Sequence, residues 1–360
     1  MKTYSFIGSD KNAGKTTALT FFYQQLLQRR YAEQAVFLTS IGINGESVDT
    51  FEGKDKPPTR IFRNSLFITA GDHLRQLGGQ YQILHVFDRP GFTKLYVLAR
   101  ATNDFVVVLE GPNDRDSVLK MKKVMSRVAA NSICLIDGSI DRQFLGHPSI
   151  SDALCFALLI SSRPQQQQKA QGFLTALGLE KCSSKATEII DASTNDSTKS
   201  VLILNWDSTV YKGYKIPYLD DQLRSHCLEH RDKPCLLYIK GSLSRSLYRF
   251  LAPLQNLTIV LHDFTCYQNI NTGNDPPEFK PELRDRTKIT WHKLAAKVPK
   301  RPDILPTECQ VFFEPTLRLR HTVPLEYLFI RQESDQTRID VPGDVPAINL
   351  YRDDLDDFRI

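Results

Sequence analysis

The residues best equipped for chemistry lie near the start of the chain. Gly8-Ser9-Asp10-Lys11-Asn12-Ala13-Gly14-Lys15-Thr16-Thr17 follows a short apolar run, Tyr4 to Ile7. A helical pattern begins at Thr17 and runs to about Arg29, with Leu19, Phe22, Leu26 and Leu27 on one face. Strand, glycine-bounded turn and helix, in that order, predict a phosphate-binding loop. Gly14 lets the backbone come close to a phosphate. The N–H groups from Lys11 to Thr17 would form an anion nest at the positive end of a helix dipole. Lys15 would set its ammonium on the β- and γ-phosphates, and the Thr16 hydroxyl would ligate Mg²⁺. Nucleotide contacts are therefore expected from Ser9, Lys11, Asn12, Ala13, Gly14, Lys15, Thr16 and Thr17. One position departs from the usual G-x-x-x-x-G-K-[ST] spacing. Ser9 stands where the first glycine belongs, and Gly8 comes one residue early.

A metal held there needs a carboxylate. Ser132-Ile133-Cys134-Leu135-Ile136-Asp137-Gly138 is an apolar strand that ends in an acid and a glycine. That is the form of a Walker B strand, whose carboxylate holds the Mg²⁺ shell. Taken alone it is also a common turn. It lies roughly 120 residues after the loop and in the same βα series, which favours Asp137 as the metal residue beside Thr16. Glu110, ahead of Gly111-Pro112, is the rival carboxylate.

These groups need a sheet to hold them. Ala35–Leu38 reads as a buried strand ending in Thr39-Ser40-Ile41-Gly42, hydroxyls at the edge where open α/β sheets bind ligands. A polar loop, Ile43 to Pro58, follows and contains Asp49. Strands are expected at 60–62, 65–70, 81–88, 95–100 and 104–110. A helix over 114–129 has Asp114 and Ser117 as its capping candidates. Ser149–Ile160 reads as an apolar helix, Pro164 opens another to about Leu177, and 183–199 reads as a polar loop. Strands at 201–204, 235–239 and 257–261, with helices between them, predict βαβ units on a parallel sheet. His262 and Asp263 end the last of these strands and could serve catalysis or simply be a polar strand end.

The fold class expected is α/β, a P-loop-type parallel sheet flanked by helices, then a second α/β segment and an irregular appendage. Residues 1–165 would be the nucleotide-binding domain. Residues 166–270 would be the second segment, with continuation of the same sheet left open. Residues 271–360 would be proline-rich and partly irregular, with an acidic tail. The net charge of +5 is small for 360 residues, and no basic run with interleaved aromatics points to nucleic acid. No apolar run reaches the roughly 18 residues of a membrane span. The seven cysteines are scattered with no C-x-x-C pair, as for reduced buried thiols in the cytoplasm. The chain opens Met-Lys and goes directly into a strand, so no secretory signal is expected.

Several further strings add a resemblance. They are Thr39-Ser40-Ile41-Gly42 with Gly45-Glu46 and Val48-Asp49, Gly53-Lys54 with Lys56-Pro57, and Leu135-Ile136-Asp137-Gly138-Ser139-Ile140-Asp141-Arg142. Tyr238-Ile239-Lys240-Gly241-Ser242-Leu243 and Ile259-Val260-Leu261-His262-Asp263-Phe264-Thr265 join them. Together these resemble the P-loop subunit of the lysine 5,6-aminomutase reactivation system, in the dethiobiotin-synthetase-like superfamily. The resemblance covers roughly residues 1–270 and does not extend beyond. It implies ATP with Mg²⁺ as ligands, Lys15, Thr16 and Asp137 as site residues, and help in restoring an inactivated cobalamin enzyme. In related ATPases the region after the second strand supplies a carboxylate near the metal or the attacking water. Asp49 is the candidate here, with Lys15, for a catalytic role. Lys11 stands one position from the lysine that dimerising ATPases of this superfamily carry. The partners implied are an aminomutase, a second reactivase subunit and a second copy of the chain.

Guanine readers use N/T-K-x-D, and the sequence holds no such string, which favours ATP over GTP. The leading reading is an accessory protein driven by a nucleotide. One alternative is a small-molecule ligase or kinase of the dethiobiotin-synthetase type. Another is a protein that binds nucleotide without turning it over. A ligase needs a lysine just after the second strand, where this chain has Thr39-Ser40-Ile41-Gly42.

Overall fold

The structure is a computed structural model. It describes residues 1–28, 34–44, 59–88, 91–138, 143–193, 201–205, 210–214, 221–229, 235–251, 257–267, 316–332, 344–350 and 352–353. The chain forms two units, one of residues 1–170 with 323–360 and one of residues 171–322.

The first unit grows from β1 (Lys2–Gly8), in which every residue but the first is buried. A strand covered on both faces reads as a near-continuous apolar run, not an alternation. Helix α1 (Lys15–Gln28) packs back on the sheet through Ala18, Leu19, Phe22, Tyr23 and Leu26. Next come β2 (Ala35–Ser40), the short β3 (Gly42–Asn44) and β4 (Thr59–Ile61), then β5 (Leu66–Ala70) and a single turn of helix, α2 (Gly71–Leu74). The hairpin β6 (Tyr81–Phe87) and β7 (Tyr96–Ala101) leads to the short β8 (Phe105–Val107) and β9 (Leu109–Gly111). Helix α3 (Arg115–Val128) opens on Asp114, whose carboxylate accepts from the Ser117 amide. Strands β10 (Ser132–Asp137) and β11 (Ala153–Ile160) are buried throughout, and α4 (Pro164–Leu177) follows.

The second unit contains α5 (Ser184–Ser193), β12 (Val201–Asn205), β13 (Val210–Tyr214) and α6 (Asp221–Glu229). It continues with β14 (Cys235–Ile239), α7 (Arg245–Leu251), β15 (Leu257–Leu261) and β16 (Thr316–Leu319). Its five strands lie in the order β13-β12-β14-β15-β16. The chain then returns to the first unit with β17 (Leu325–Gln332) and β18 (Ala347–Asn349).

The first unit's sheet has nine strands in the order β18-β17-β11-β1-β10-β2-β5-β7-β6. Strands from β18 to β5 pair in parallel, and the β6–β7 hairpin joins antiparallel at the far edge. Thus β1, which leads into the phosphate loop, is central, and β10 lies beside it with Phe6 opposite Asp137. Phe6, Phe22 and Phe329 form one aromatic cluster, with Phe6 5.5 Å from Phe22 and 6.3 Å from Phe329 between ring centres.

Four expectations change. The apolar run ending at Ile160 is strand β11, not a helix. Eight consecutive buried apolar residues fit either element by pattern, and the sheet's centre selects the strand. Part of the expected loop at 183–199 is α5. Its polar surface hides Ala186, Ile189 and Ile190 at helical spacing, and the Ser183 hydroxyl accepts from the Ala186 amide. In the second unit β12 runs antiparallel to β14, because the hairpin strand β13 intervenes, so only β14, β15 and β16 are mutually parallel. That unit has a sheet of its own and does not continue the first. Finally, Leu325–Gln332 and Ala347–Asn349 are no appendage, because they extend the first sheet beside β11. The apolar run Val311-Phe312-Phe313, which reads as a short strand from sequence, lies outside the described residues. The six described cysteines are free and buried. No helix among the described residues is long and apolar enough to cross a membrane.

Candidate functional site

The loop between β1 and α1 carries two left-handed residues, Asn12 at φ 62° and Gly14 at φ 88°. Asparagine tolerates that region and glycine enters it without strain, so the chain can turn twice within three residues. The loop has a fixed underside. Ser9 donates its amide to the Ala157 carbonyl at 2.9 Å and accepts the Leu159 amide on its hydroxyl at 2.9 Å. A glycine there would lack the second bond, which gives the displaced glycine of the motif a physical reason. Ser9 is 2% exposed, with its hydroxyl turned towards β11. Ala13 is buried against Ala157 and Leu159. The Ala13 amide reaches the Asp10 carbonyl at 3.3 Å, and the Ala18 amide reaches the Gly14 carbonyl at 2.8 Å to begin α1.

Above that underside three polar side chains converge. The Lys15 ammonium is 2.9 Å from the Asp137 carboxylate, and the Thr16 hydroxyl points to the other carboxylate oxygen at 3.4 Å. Asp137 is 1% exposed, while the Lys15 side chain is 27% exposed. The β2 end fixes Asp137 from behind. The Ile41 amide and the Ser40 hydroxyl both donate to its main-chain carbonyl, at 2.9 and 3.2 Å. Ser40 and Thr39 are buried; the Ser40 hydroxyl ties β2 to β10, while the Thr39 hydroxyl donates to the Ser40 carbonyl of its own strand at 3.5 Å. Gly138 donates to the Phe6 carbonyl, and a Cβ there would meet Leu145 at 2.1 Å.

Lys11 and Asn12 are exposed at the loop's outer rim, and Gly14, Thr16 and Thr17 are half-buried. Asp10 accepts the Lys11 amide at 2.9 Å and pairs with Lys169 of α4 at 3.1 Å. Burial works against the Asp10 charge, yet the Lys11 amide and the Lys169 ammonium hold its carboxyl below the ordinary range. Asp49 lies outside the described residues.

No protein-family model matches the chain, and no curated protein does. Among solved structures the chain is similar to a ParA family ATPase from Chlorobium tepidum TLS. Identity is 12% over 49% of this chain and 67% of that one, with a TM-score of 0.25. A score that low leaves the site to stand on its own geometry. The resemblance to the aminomutase reactivation subunit gains no support from these comparisons.

The rival carboxylate is differently placed. Glu110 lies on β9, opposite Ile43 of β3, and is 5% exposed. The Lys94 ammonium is 2.6 Å from one oxygen and a His73 ring nitrogen 2.9 Å from the other. Burial alone would raise the Glu110 carboxyl. The two neighbours outweigh it and hold that carboxyl below its ordinary value. The next residue, Gly111, comes so close to β2 that a Cβ would sit 2.0 Å from the Ser40 carbonyl oxygen. In the second unit His262 shares a 2.7 Å hydrogen bond with the Tyr238 hydroxyl. Asp263 is 2% exposed and accepts both the Thr265 amide and its hydroxyl, as a strand-end brace does.

Two cations near the loop escape any short-motif search. Lys169 directly follows a run of four glutamines, and Arg331 lies near the end of an ordinary strand pattern. The Arg331 guanidinium donates to the Asn12 carbonyl at 2.7 Å. Both come from far along the chain, and only the pairing of β17 with β11 brings Arg331 near.

Proposed function

We propose that this chain is a P-loop nucleotide-binding protein whose ligand is ATP with Mg²⁺. The observation that carries the reading is the convergence of Lys15, Thr16 and Asp137 above a loop with left-handed turns at Asn12 and Gly14. The donor set suits a hard cation, with one hydroxyl and one buried carboxylate facing each other. Thr16 and Asp137 would hold Mg²⁺, which would supply neutralisation of phosphate charge.

This chain's own groups do the remaining work. Without a ligand the Lys15 ammonium rests on Asp137. A triphosphate offers Lys15 a richer anion, so the ammonium transfers to it and the carboxylate is released for the cation. The amides of Gly14, Lys15 and Thr16 take phosphate oxygens at the start of α1, where the helix dipole favours negative charge. Ser9, Ala157 and Leu159 keep that loop from collapsing. Any hydrolysis would depend on Lys15 positioning the γ-phosphoryl, with Asp49 as the candidate beside the attacking water. The absence of an N/T-K-x-D string favours adenine over guanine.

The test is calorimetric titration of ATP, ADP and GTP with and without Mg²⁺, on the wild type and Lys15→Ala. Binding by the wild type that Lys15→Ala abolishes supports the reading. Equal binding by both proteins refutes it. An aminomutase client with a second reactivase subunit is a further step that rests on the sequence strings alone. It is tested by asking whether this chain and ATP restore turnover to an inactivated aminomutase. No restoration removes that client and leaves nucleotide binding standing.

A further inference from the structure

A phosphate nest turns successive N–H groups inward. The carbonyls between them turn outward and need donors of their own. In this loop the outward carbonyl at the sharpest point belongs to Asn12, at φ 62°. Its donor is the Arg331 guanidinium, at 2.7 Å. Arg331 pairs in register with Leu159 of β11, whose amide in turn rests on the Ser9 hydroxyl. So β11 supports the loop from beneath, and β17 reaches its outer turn. Lys169 adds a second grip at Asp10.

We propose that Arg331 is a positioning residue of the nucleotide site. It holds the Asn12 carbonyl outward in the left-handed turn, which keeps the amides of Gly14, Lys15 and Thr16 aimed at the phosphates. The assignment rests on the nucleotide-binding reading above. Arginine suits the task. Its guanidinium is planar and always charged, and a hydrogen bond from a charged donor is about twice as strong as a neutral one. A short neutral side chain at 331 would take the charged donor away from that carbonyl and let the turn relax into the space meant for phosphate.

The experiment compares wild type, Arg331→Ala and Arg331→Lys by amide hydrogen exchange over residues 9–16 and by calorimetric binding of ATP and ADP. Arg331→Ala should exchange the amides of residues 12–15 several-fold faster and bind both nucleotides about tenfold more weakly. Arg331→Lys keeps the stem and charge and should recover much of both. The melting temperature without ligand should hardly move, because the main-chain ladder between β17 and β11 is untouched. A merely structural role would lower that temperature and leave the exchange of the loop unchanged. The assignment is overturned if Arg331→Ala leaves loop exchange at the wild-type rate, or if it binds nucleotide as well as the wild type. A wild type that binds no nucleotide overturns the reading beneath it, and loop exchange still decides whether Arg331 sets the turn.

Discussion

Asp137→Asn separates a metal carboxylate from a structural one. The substitution keeps the shape of the side chain. It also leaves the main-chain carbonyl that holds Ile41 and Ser40. What it removes is the charge facing Lys15 at 2.9 Å. The gross attraction there is roughly 6 kcal/mol at an effective dielectric of about 20. Desolvating a carboxylate that is 1% exposed offsets most of it. Lys15, 27% exposed, can turn to water once its partner is gone. The free protein should therefore lose only about 1–2 kcal/mol. The nucleotide data should then split in sign. In EDTA, ATP should bind roughly fivefold more tightly, equivalent to about 1 kcal/mol, because Lys15 is released and a buried negative charge no longer faces the phosphates. With Mg²⁺ present, ATP should bind at least about tenfold more weakly, because a cation ligand is lost. Calorimetric titration in both buffers reads the two numbers directly. A loss of the same factor with and without Mg²⁺ would show that the carboxylate serves only the fold, and Glu110→Gln would become the next variant.

Three other outcomes follow from the same structure. Lys15→Ala should reduce ATP affinity by well over tenfold and also lower stability in chemical denaturation by about 1–3 kcal/mol, because it leaves the buried Asp137 carboxylate without its ammonium. Phe329→Ala should destabilise the first unit by about 3–5 kcal/mol in urea titrations, because a fully buried ring is removed from the Phe6, Phe21 and Phe22 cluster. A loss under about 1 kcal/mol would mean that β17 is not part of that core. Glu110 links stability to acid. Its carboxyl is held below 4.5 in the folded chain, so its contribution is present above that value and fades as pH falls through the lower folded value. Melting curves from pH 7 to pH 3 should show the wild type losing its advantage over Glu110→Gln at the acid end, and a constant gap would contradict the paired geometry.

The parts legible in the sequence are those written locally. The loop, α1, the strand ending at Asp137 and the capped start of α3 are each specified by a few adjacent residues. Ala153–Ile160 was ambiguous because a buried strand and a buried helix share one composition. α5 is obscured because Ser184, Lys185, Glu188 and Asp191 face solvent while three apolar residues do the packing. The direction of β12 depends on a hairpin whose strands are too short to read alone. Arg331 and Lys169 could not be found at all from spacing. Arg331 is brought to the loop by parallel register between strands some 170 residues apart, and Lys169 by the helix that follows β11, and no local pattern encodes either. The single departure in the motif, Ser9 for glycine, was visible from the start. Its reason was not, since the amide that needs its hydroxyl belongs to Leu159.

The return of the chain to its first sheet has a consequence for synthesis. β17 contributes Phe329 to the core and Arg331 to the loop, yet it leaves the ribosome only after the whole segment 171–322. At about 5–20 residues per second, that delay is on the order of ten seconds or more. During it the flank of β11 is without its eventual neighbour and the Asn12 turn is without its clasp. The nascent first unit therefore waits as an unfinished sheet with an open apolar edge, the kind of surface that holding chaperones engage. Nucleotide binding by the nascent chain should therefore strengthen when β17 arrives and Arg331 reaches the Asn12 carbonyl.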